Sequence, residues 1–267
     1  MKNFSGYIFD LDGTIYLGEE MIPGAVDVID TLQTMGKKVL FLTNKTIESR
    51  QKYVAKLNRF GIKVGLQNIL SPALVTIKYL KEKHPGEKVY VIGEEILKEE
   101  LEQEGILFAS TPQETQVVLI SWDREFHYSH LNFAYQAIKK GAVAIATNPD
   151  RTCPVPDGDV PDCGAMIGAI EGATGQKIDG IMGKPSILTA STALEILELK
   201  PEECLMIGDR VETDILMGKV AGLNTALVLT GITKRENMEG APYQPDYILD
   251  SVYDIVLKRS TEESFTR

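Results

Sequence analysis

Short apolar runs alternate with amphipathic segments along nearly the whole chain. The apolar runs have the length of buried strands, and the segments between them repeat apolar residues at helical spacing. The predicted strands are Tyr7–Leu11, Lys38–Leu42, Lys88–Ile92, Val117–Ser121, Val143–Thr147, Glu203–Gly208, Thr225–Leu229 and Asp246–Leu249. The predicted helices include Ala25–Met35, Glu48–Phe60, Glu94–Glu104, Ser129–Lys139, Ser186–Leu197 and Asp214–Ala221. This alternation, with almost continuously apolar strands, predicts an α/β fold with a parallel sheet.

Composition and charge narrow the class of protein. The 267 residues suffice for one large or two smaller domains with a substantial apolar core. A formal net charge of -10 argues against a nucleic-acid partner, because a duplex binder needs Lys and Arg to displace counterions. An anionic substrate would therefore have to be held by local positive charge.

The sequence favours a reducing cytoplasm and no membrane partner. The apolar stretch near the N-terminus is interrupted by Asp10 and Asp12, so it does not fit a signal peptide. No apolar run approaches the roughly 20 residues that span a bilayer. Three cysteines are an odd and low number for a disulfide framework. We therefore expect a cytoplasmic protein.

The first chemical cluster follows the first predicted strand. Asp10 and Asp12 are two residues apart, so on a strand their side chains share one face. They would lie at the carboxyl end of the strand, where ligands of open α/β sheets bind, and Gly13 lets the chain turn immediately. Two close carboxylates favour a shared proton or a bound cation. The simpler alternative is a solvated strand end followed by a turn.

A second acidic cluster follows the predicted strand Glu203–Gly208. Asp209 stands at the strand tip, and Asp214 follows five residues later. Acidic residues at strand tips in a chain with few histidines suit a hard cation such as Mg²⁺ rather than zinc. The alternative role of Asp214 is to cap the next helix.

Polar residues also mark two other positions. Thr43 and Asn44 follow the strand Lys38–Leu42 and can donate hydrogen bonds, although such a pair alone more often caps a helix. Lys184 lies between a glycine and a proline and could hold a phosphate as a point charge. Taken alone, Lys184 is typical of an exposed loop lysine.

In chain order these clusters resemble the four motifs of the haloacid dehalogenase (HAD) superfamily. The segment Asp10-x-Asp12-Gly-Thr resembles the first motif, Thr43 the second, Lys184 the third, and Gly-Asp209-x-x-x-Thr-Asp the fourth. The forms Leu-Thr-Asn, Gly-Lys-Pro and Gly-Asp-Arg-x-x-Thr-Asp resemble the NagD / p-nitrophenyl-phosphatase family.

This resemblance implies a fold with two domains. About 140 residues separate the second motif from the third, and the strand–helix alternation continues between them. The family would have a doubly wound, Rossmann-like HAD core with an α/β cap inserted there. The expected core comprises residues 1–77 and 182–267, and the expected cap comprises residues 78–181.

The resemblance also implies the chemistry of the acidic residues. Asp10 would be the nucleophile that forms an aspartyl-phosphate, and Asp12 would act as general acid and then general base. Mg²⁺ would be bound by the Asp10 carboxylate, the Asp12 backbone carbonyl and the Asp209 carboxylate, and Asp214 would support the metal site.

The remaining motif residues would hold the phosphate. Thr43 and the backbone of Asn44 would donate to phosphate oxygens, and Lys184 would neutralise charge on the phosphate and on Asp10. The cap loop Thr147–Asp150, with Asn148 and Asp150, is expected to contact the leaving group. Its alternative is a simple turn after a strand.

The implied function is a Mg²⁺-dependent phosphatase for small phosphorylated metabolites. Candidate substrates are sugar phosphates, nucleoside monophosphates and phosphoglycolate, with p-nitrophenyl phosphate as an artificial substrate. A phosphomutase on the same scaffold is one alternative, although mutases usually carry a smaller helical cap after the first motif. A non-catalytic protein that binds metal or phosphate is the other. The resemblance allows a homodimer and leaves the oligomeric state open.

Overall fold

A computed structural model describes residues 2–155, 158–238 and 240–256 of the chain. Elements are numbered in chain order. The strands are β1 Gly6–Asp10, β2 Tyr16–Leu17, β3 Glu20–Met21, β4 Lys38–Leu42, β5 Ile69–Leu70, β6 Lys88–Ile92, β7 Leu107–Phe108, β8 Val117–Ile120, β9 Val143–Ala146, β10 Thr152–Val155, β11 Gly158–Pro161, β12 Gly180–Ile181, β13 Cys204–Gly208, β14 Asn224–Val228 and β15 Tyr247–Leu249. The α-helices are α1 Ala25–Thr34, α2 Arg50–Arg59, α3 Pro72–Lys83, α4 Glu95–Gln103, α5 Tyr128–Ile138, α6 Cys163–Thr174, α7 Ile187–Leu197 and α8 Leu216–Val220.

Contacts divide the chain into two compact units. The first unit comprises Met1–Thr43, Arg50–Leu70 and Thr189–Arg267, and the second comprises Asn44–Ser49 and Ser71–Leu188. The domain boundary expected after residue 77 falls inside helix α3, seven residues after the contact boundary at Leu70. The predicted domain limits stay a prediction, and residues 257–267 of the predicted core lie outside the described residues.

The first unit contains a six-stranded parallel sheet in the order β15-β14-β13-β1-β4-β5. The chain starts in the middle with β1, continues outward through β4 and β5, and returns to the other side of β1 at β13. Ligands of such doubly wound sheets bind where the strand order reverses, here between β1 and β13. The α/β class and the doubly wound parallel sheet predicted from the sequence are confirmed.

The strand β1 lies at the centre of the core of the first unit. All five of its residues are buried, which explains its continuous apolar sequence. The ring of Phe9 stacks on Tyr7 at 6.3 Å and on Phe41 of β4 at 6.0 Å between centroids. This packing fixes the strand end that carries Asp10.

The second unit contains a five-stranded parallel sheet in the order β12-β9-β8-β6-β7. Its strand order reverses between β6 and β8, so this sheet is doubly wound as well. The strand β8 is buried along its whole length. Helices α5 and α6 pack against this strand and against one another.

One local prediction differs from the structure. The predicted helix Asp214–Ala221 is a π-helical turn, Val211–Ile215, followed by the shorter helix α8. The proline-containing segment Thr152–Cys163 includes an antiparallel hairpin in which Thr152 pairs with Pro161. Proline is compatible with such a hairpin because an edge position needs no ladder donor. No helix among the described residues is long and apolar enough to cross a bilayer.

Candidate active site

Three aspartates meet at the reversal point of the first sheet. Asp10 is the last residue of β1, Asp209 is the first residue after β13, and Asp214 lies in the π-helical turn that follows. Each offers a carboxylate oxygen, and these oxygens lie within 4.8 Å of one another. The three residues are only 7%, 4% and 1% exposed. The predicted acidic residues from two distant motifs therefore form one buried cluster.

The carboxylate of Asp209 is held by the loop that follows β14. The Ile232 amide donates to Asp209 Oδ2 at 2.6 Å, and the Thr233 amide donates to the Asp209 carbonyl at 3.1 Å. A Cβ on Gly231 would lie 1.9 Å from the same Oδ2, and a Cβ on Gly13 would lie 2.5 Å from it. Glycine is required at both positions because any side chain would displace the carboxylate.

Asp214 folds back onto the tip of β13. The Arg210 amide donates to Asp214 Oδ2 at 3.1 Å, and a Cβ on Gly208 would lie 2.2 Å from the Asp214 carboxyl carbon. Helix α8 begins after Ile215, and no side chain caps it. Asp214 therefore does not cap that helix, and its carboxylate faces the other two aspartates.

Asp12 lies in a tight turn beyond β1 and is half-buried. The Gly13 amide donates to the Tyr16 carbonyl at 2.7 Å, and the Ile15 amide donates to the Leu11 carbonyl at 2.8 Å. Gly13 has a φ of 85°, which a residue with a side chain adopts only with strain. The Asp12 carboxylate is not part of the cluster of three.

Thr43 follows β4 and is buried. The last residue of that strand, Leu42, is paired in register with Asp10, so Thr43 stands one residue beyond Asp10 on the neighbouring strand. The Thr43 amide donates to the Leu70 carbonyl at 3.2 Å. The first unit thus gathers Thr43 at the same sheet edge as the acidic cluster.

The second unit brings Asn44 and Lys184 together. The Asn44 side chain donates through Nδ2 to the Lys184 carbonyl at 3.1 Å, and the Lys184 amide donates to Asn44 Oδ1 at 2.8 Å. A Cβ on Gly183 would lie 2.4 Å from the Thr147 carbonyl, so the loop before Lys184 packs closely on the end of β9. Lys184 is 3% exposed, which contradicts its reading as an exposed loop lysine.

The acidic cluster fits a divalent cation. Carboxylate oxygens at this separation can share one small, hard cation, and the cation would offset their mutual repulsion. Among the described residues this is the only group of three or more His, Cys, Asp or Glu side chains whose ligand atoms come so close. The donor set is oxygen alone, which favours magnesium-like ions over zinc.

Two of the three cysteines are unsuited to act as nucleophiles. Cys153, Cys163 and Cys204 are buried and free of disulfides. Burial raises the pKa of the Cys163 thiol and of the Cys204 thiol to about 12. These two thiols therefore stay protonated at neutral pH, and a thiolate mechanism has no support.

The structure adds residues that the sequence did not indicate. Gly231 and Ile232 shape and hold Asp209, although no motif marked them. Their signal in the sequence is weak: a Thr-Gly pair directly after the strand candidate Thr225–Leu229. Asp150 contacts Asn44 at 2.9 Å, 106 residues away in sequence, which no local pattern could reveal.

The chain is similar to known proteins along most of its length. Residues 7–107 match a family described as haloacid dehalogenase-like hydrolase, and residues 181–255 match one described as HAD-hydrolase-like. The sugar-phosphatase AraL of Bacillus subtilis is 43% identical over 251 residues, covering 94% of this chain and 92% of that protein.

Two solved structures extend the likeness over nearly the whole chain. The p-nitrophenyl phosphatase from Archaeoglobus fulgidus has a TM-score of 0.91 and 35% identity, and covers 96% of this chain and 100% of its own. NagD from E. coli K-12 has a TM-score of 0.86 and 30% identity, and covers 95% of this chain and 98% of its own.

Proposed function

The chain belongs to the haloacid dehalogenase-like hydrolases and is a phosphoric monoester hydrolase, and from that premise we propose that it cleaves small phosphorylated metabolites by attack of the Asp10 carboxylate on phosphorus. The observation that carries the proposal is the buried cluster of Asp10, Asp209 and Asp214 at the reversal point of the first sheet. A buried acidic cluster is costly to maintain unless it serves a ligand.

The reaction has two displacements at phosphorus. A carboxylate oxygen of Asp10 forms a bond to phosphorus while the ester oxygen leaves, and Asp12 gives that oxygen its proton. Asp12 then takes a proton from a water molecule, whose oxygen attacks the aspartyl-phosphate and restores the Asp10 carboxylate with release of inorganic phosphate. The covalent intermediate divides one difficult displacement into two easier ones.

The positions of the two aspartates suit these different roles. Asp10 is almost fully buried at the end of a packed strand, so its carboxylate has a fixed direction for attack. Asp12 is only half-buried in the adjoining turn, where proton exchange with water is feasible.

The cluster would hold Mg²⁺ through the carboxylates of Asp10 and Asp209 and the backbone carbonyl of Asp12, with Asp214 supporting the site. When bound, the cation supplies positive charge that offsets the carboxylates and the phosphate. Thr43, which follows β4 at the same sheet edge, would donate to a phosphate oxygen. For Asn44 and Lys184, contact with the phosphate stays the prediction made from the sequence.

Sugar phosphates are the substrate class that we propose first. The most identical of the three relatives described above is a sugar-phosphatase. Nucleoside monophosphates and phosphoglycolate remain candidates from the sequence, and p-nitrophenyl phosphate is a convenient artificial substrate.

The test is release of inorganic phosphate from a panel of phosphate esters, with and without Mg²⁺. We expect hydrolysis that requires the metal, and we expect Asp10→Asn to lower kcat by about 10⁴-fold or more while the fold is retained. The matched control is Asp30→Asn, an exposed aspartate on α1 of the same unit, which should keep wild-type activity. An active Asp10→Asn protein, or a wild type that cleaves no ester in the panel, contradicts the proposal.

A further inference from the structure

The loop after β9 uses its polar side chains within the second unit. Asn148 is 2% exposed, and its Nδ2 donates to Asp150 Oδ2 at 3.0 Å and to Asp162 Oδ1 at 3.3 Å. The Thr147 hydroxyl donates to Asn148 Oδ1 at 2.9 Å. These contacts engage the Asn148 amide inside the loop, so they favour a role other than the expected contact with a leaving group.

Asp150 connects this loop to Asn44. The same oxygen that accepts from Asn148, Asp150 Oδ2, also accepts from Asn44 Nδ2 at 2.9 Å. Asn44 in turn brackets the backbone of Lys184 through its Oδ1 and Nδ2. A continuous series of hydrogen bonds therefore runs from the Asp150 carboxylate through one amide group to Lys184.

The Asp150 carboxylate and the Lys184 backbone favour the same orientation of the Asn44 amide. An asparagine amide can rotate to exchange its oxygen and nitrogen, whereas an ionised carboxylate only accepts hydrogen bonds. Asp150 therefore requires Nδ2 on its side, and this orientation leaves Oδ1 facing the Lys184 amide. In the rotated state an amide oxygen would face the carboxylate, and the Lys184 amide would face an NH₂ group.

The position of Asp150 is itself fixed by contacts with the first turn of helix α6. The Gly164 amide donates to the Asp150 carbonyl at 2.7 Å. A Cβ on Gly164 would lie 2.8 Å from that carbonyl and 3.0 Å from the Pro149 carbonyl, so the loop and the helix are in close contact. Asp162, which also receives the Asn148 amide, caps the same helix through the Cys163 amide.

We propose that Asp150 is a positioning residue for the reaction: acting through Asn44, it fixes the backbone of Lys184 and thereby the place of the lysine's positive charge. This inference rests on the proposed function, since Lys184 matters only if it neutralises a bound phosphate. In this role Asp150 acts on the phosphate only through Lys184. Its loss should therefore weaken phosphate binding equally for every ester.

The kinetic test compares Asp150→Ala, Asp150→Asn and Asn44→Ala in the full-length protein. We expect Asp150→Ala to raise both KM and the inhibition constant of inorganic phosphate by about tenfold or more. The factor should be the same for p-nitrophenyl phosphate and for a sugar phosphate. Asp150→Asn keeps an acceptor oxygen and should return both constants to within about threefold of wild type. Asp159→Ala, at an exposed aspartate of the same unit, is the matched control.

A double variant tests the route through Asn44. Adding Asp150→Ala to Asn44→Ala should raise KM and the inhibition constant of phosphate by less than about twofold further, because the two residues act as one unit. Full additivity would overturn the inference. It would also be overturned by a loss that depends on the leaving group while the inhibition constant of phosphate is unchanged, since that pattern belongs to a loop that contacts the substrate.

Amide hydrogen exchange tests the positioning of Lys184 without measuring catalytic turnover. In Asp150→Ala the Lys184 amide should exchange about tenfold faster or more, with little change at amides of the buried strand β8. Unchanged exchange at Lys184, or a uniform increase across the second unit, contradicts a specific positioning role. A wild type that cleaves no phosphate ester overturns the proposed function instead, and the exchange data then still decide whether Asp150 fixes Lys184.

Discussion

The two sheets of this protein have the same kind of topology but different chemistry at the point where their strand order reverses. In the first unit that point lies between β1 and β13, and it collects the carboxylates of Asp10, Asp209 and Asp214. In the second unit it lies between β6 and β8. There Glu94 accepts from Arg124 Nε at 2.6 Å and from its terminal nitrogen at 2.8 Å.

This difference shows that the topology provides the edge where a ligand can bind, whereas the side chains determine the charge at that edge. Both parallel sheets create an edge where side chains from distant segments converge. At the second sheet Arg124 forms an ion pair with Glu94, so these opposite charges offset one another. At the first sheet three carboxylates lie close together, and a bound cation would offset their repulsion and allow an anionic ligand to bind. Function therefore follows the residues at the edge, and the fold alone does not determine it.

The largest expected effect is the loss of kcat/KM when one carboxylate is neutralised at the edge of the first sheet, compared with the same change at the edge of the second sheet. We expect Asp209→Asn to lower kcat/KM by about 10³-fold, since a bound metal supplies several kcal/mol of charge stabilisation in the transition state. Glu94→Gln, the matched change in the second unit, should change kcat/KM by less than about threefold. Steady-state kinetics on p-nitrophenyl phosphate with Mg²⁺ measure both. Equal losses in the two variants would remove the distinction between the edges.

Binding of Mg²⁺ should stabilise the wild-type protein in a way that depends on the first edge alone. At a concentration about 100 times Kd, the free energy of unfolding should rise by about 2.7 kcal/mol. Thermal unfolding with and without Mg²⁺ measures this rise as a shift of several degrees in Tm. Glu94→Gln should keep the shift and Asp209→Asn should lose most of it. An undiminished shift in Asp209→Asn would place the ion elsewhere.

The smallest expected effect is the pH dependence of the stability that the Arg124–Glu94 pair contributes at the edge of the second sheet. The hydrogen bond from Arg124 lowers the pKa of Glu94, so this pair stabilises the fold at neutral pH and loses its contribution as the pH falls through the lowered pKa. Because Arg124 is well exposed, Arg124→Gln should cost only about 0.5 kcal/mol near neutral pH.

Urea unfolding of wild type and Arg124→Gln at neutral pH and over a series of increasingly acid pH values tests this sign. The difference in unfolding free energy should shrink as the pH falls. A difference of constant size would show that Arg124 stabilises by packing and not by its charge.

Much of the fold could be predicted because buried parallel strands have a simple sequence pattern. Lys38–Leu42 and Lys88–Ile92 were predicted with the bounds that the structure shows. The acidic residues were also predictable, since each follows such a strand and the carboxyl ends of parallel strands share one edge. The grouping of Asp10 with Asp209 in the structure agrees with this expectation, while their catalytic roles remain a proposal.

Features that depend on distant partners could not be predicted. Gly231 matters because the Asp209 carboxylate occupies the space beside it. Asp150 accepts hydrogen bonds from the side-chain amides of Asn44 and Asn148, and Asn44 is 106 residues away in sequence. Each case needs a neighbour that the local sequence does not contain.

The boundary between Thr43 and Asn44 has a consequence for making chimaeras. Since Asn44, Asp150 and Lys184 all belong to the second unit, a graft cut at the contact boundaries would transfer this hydrogen-bonded series intact. A graft cut after Ile181 would instead pair the lysine of one parent with the loop of the other. Recombination between relatives should therefore respect the junctions at Thr43, Ser49, Leu70 and Leu188, because the lysine and its support are then inherited together.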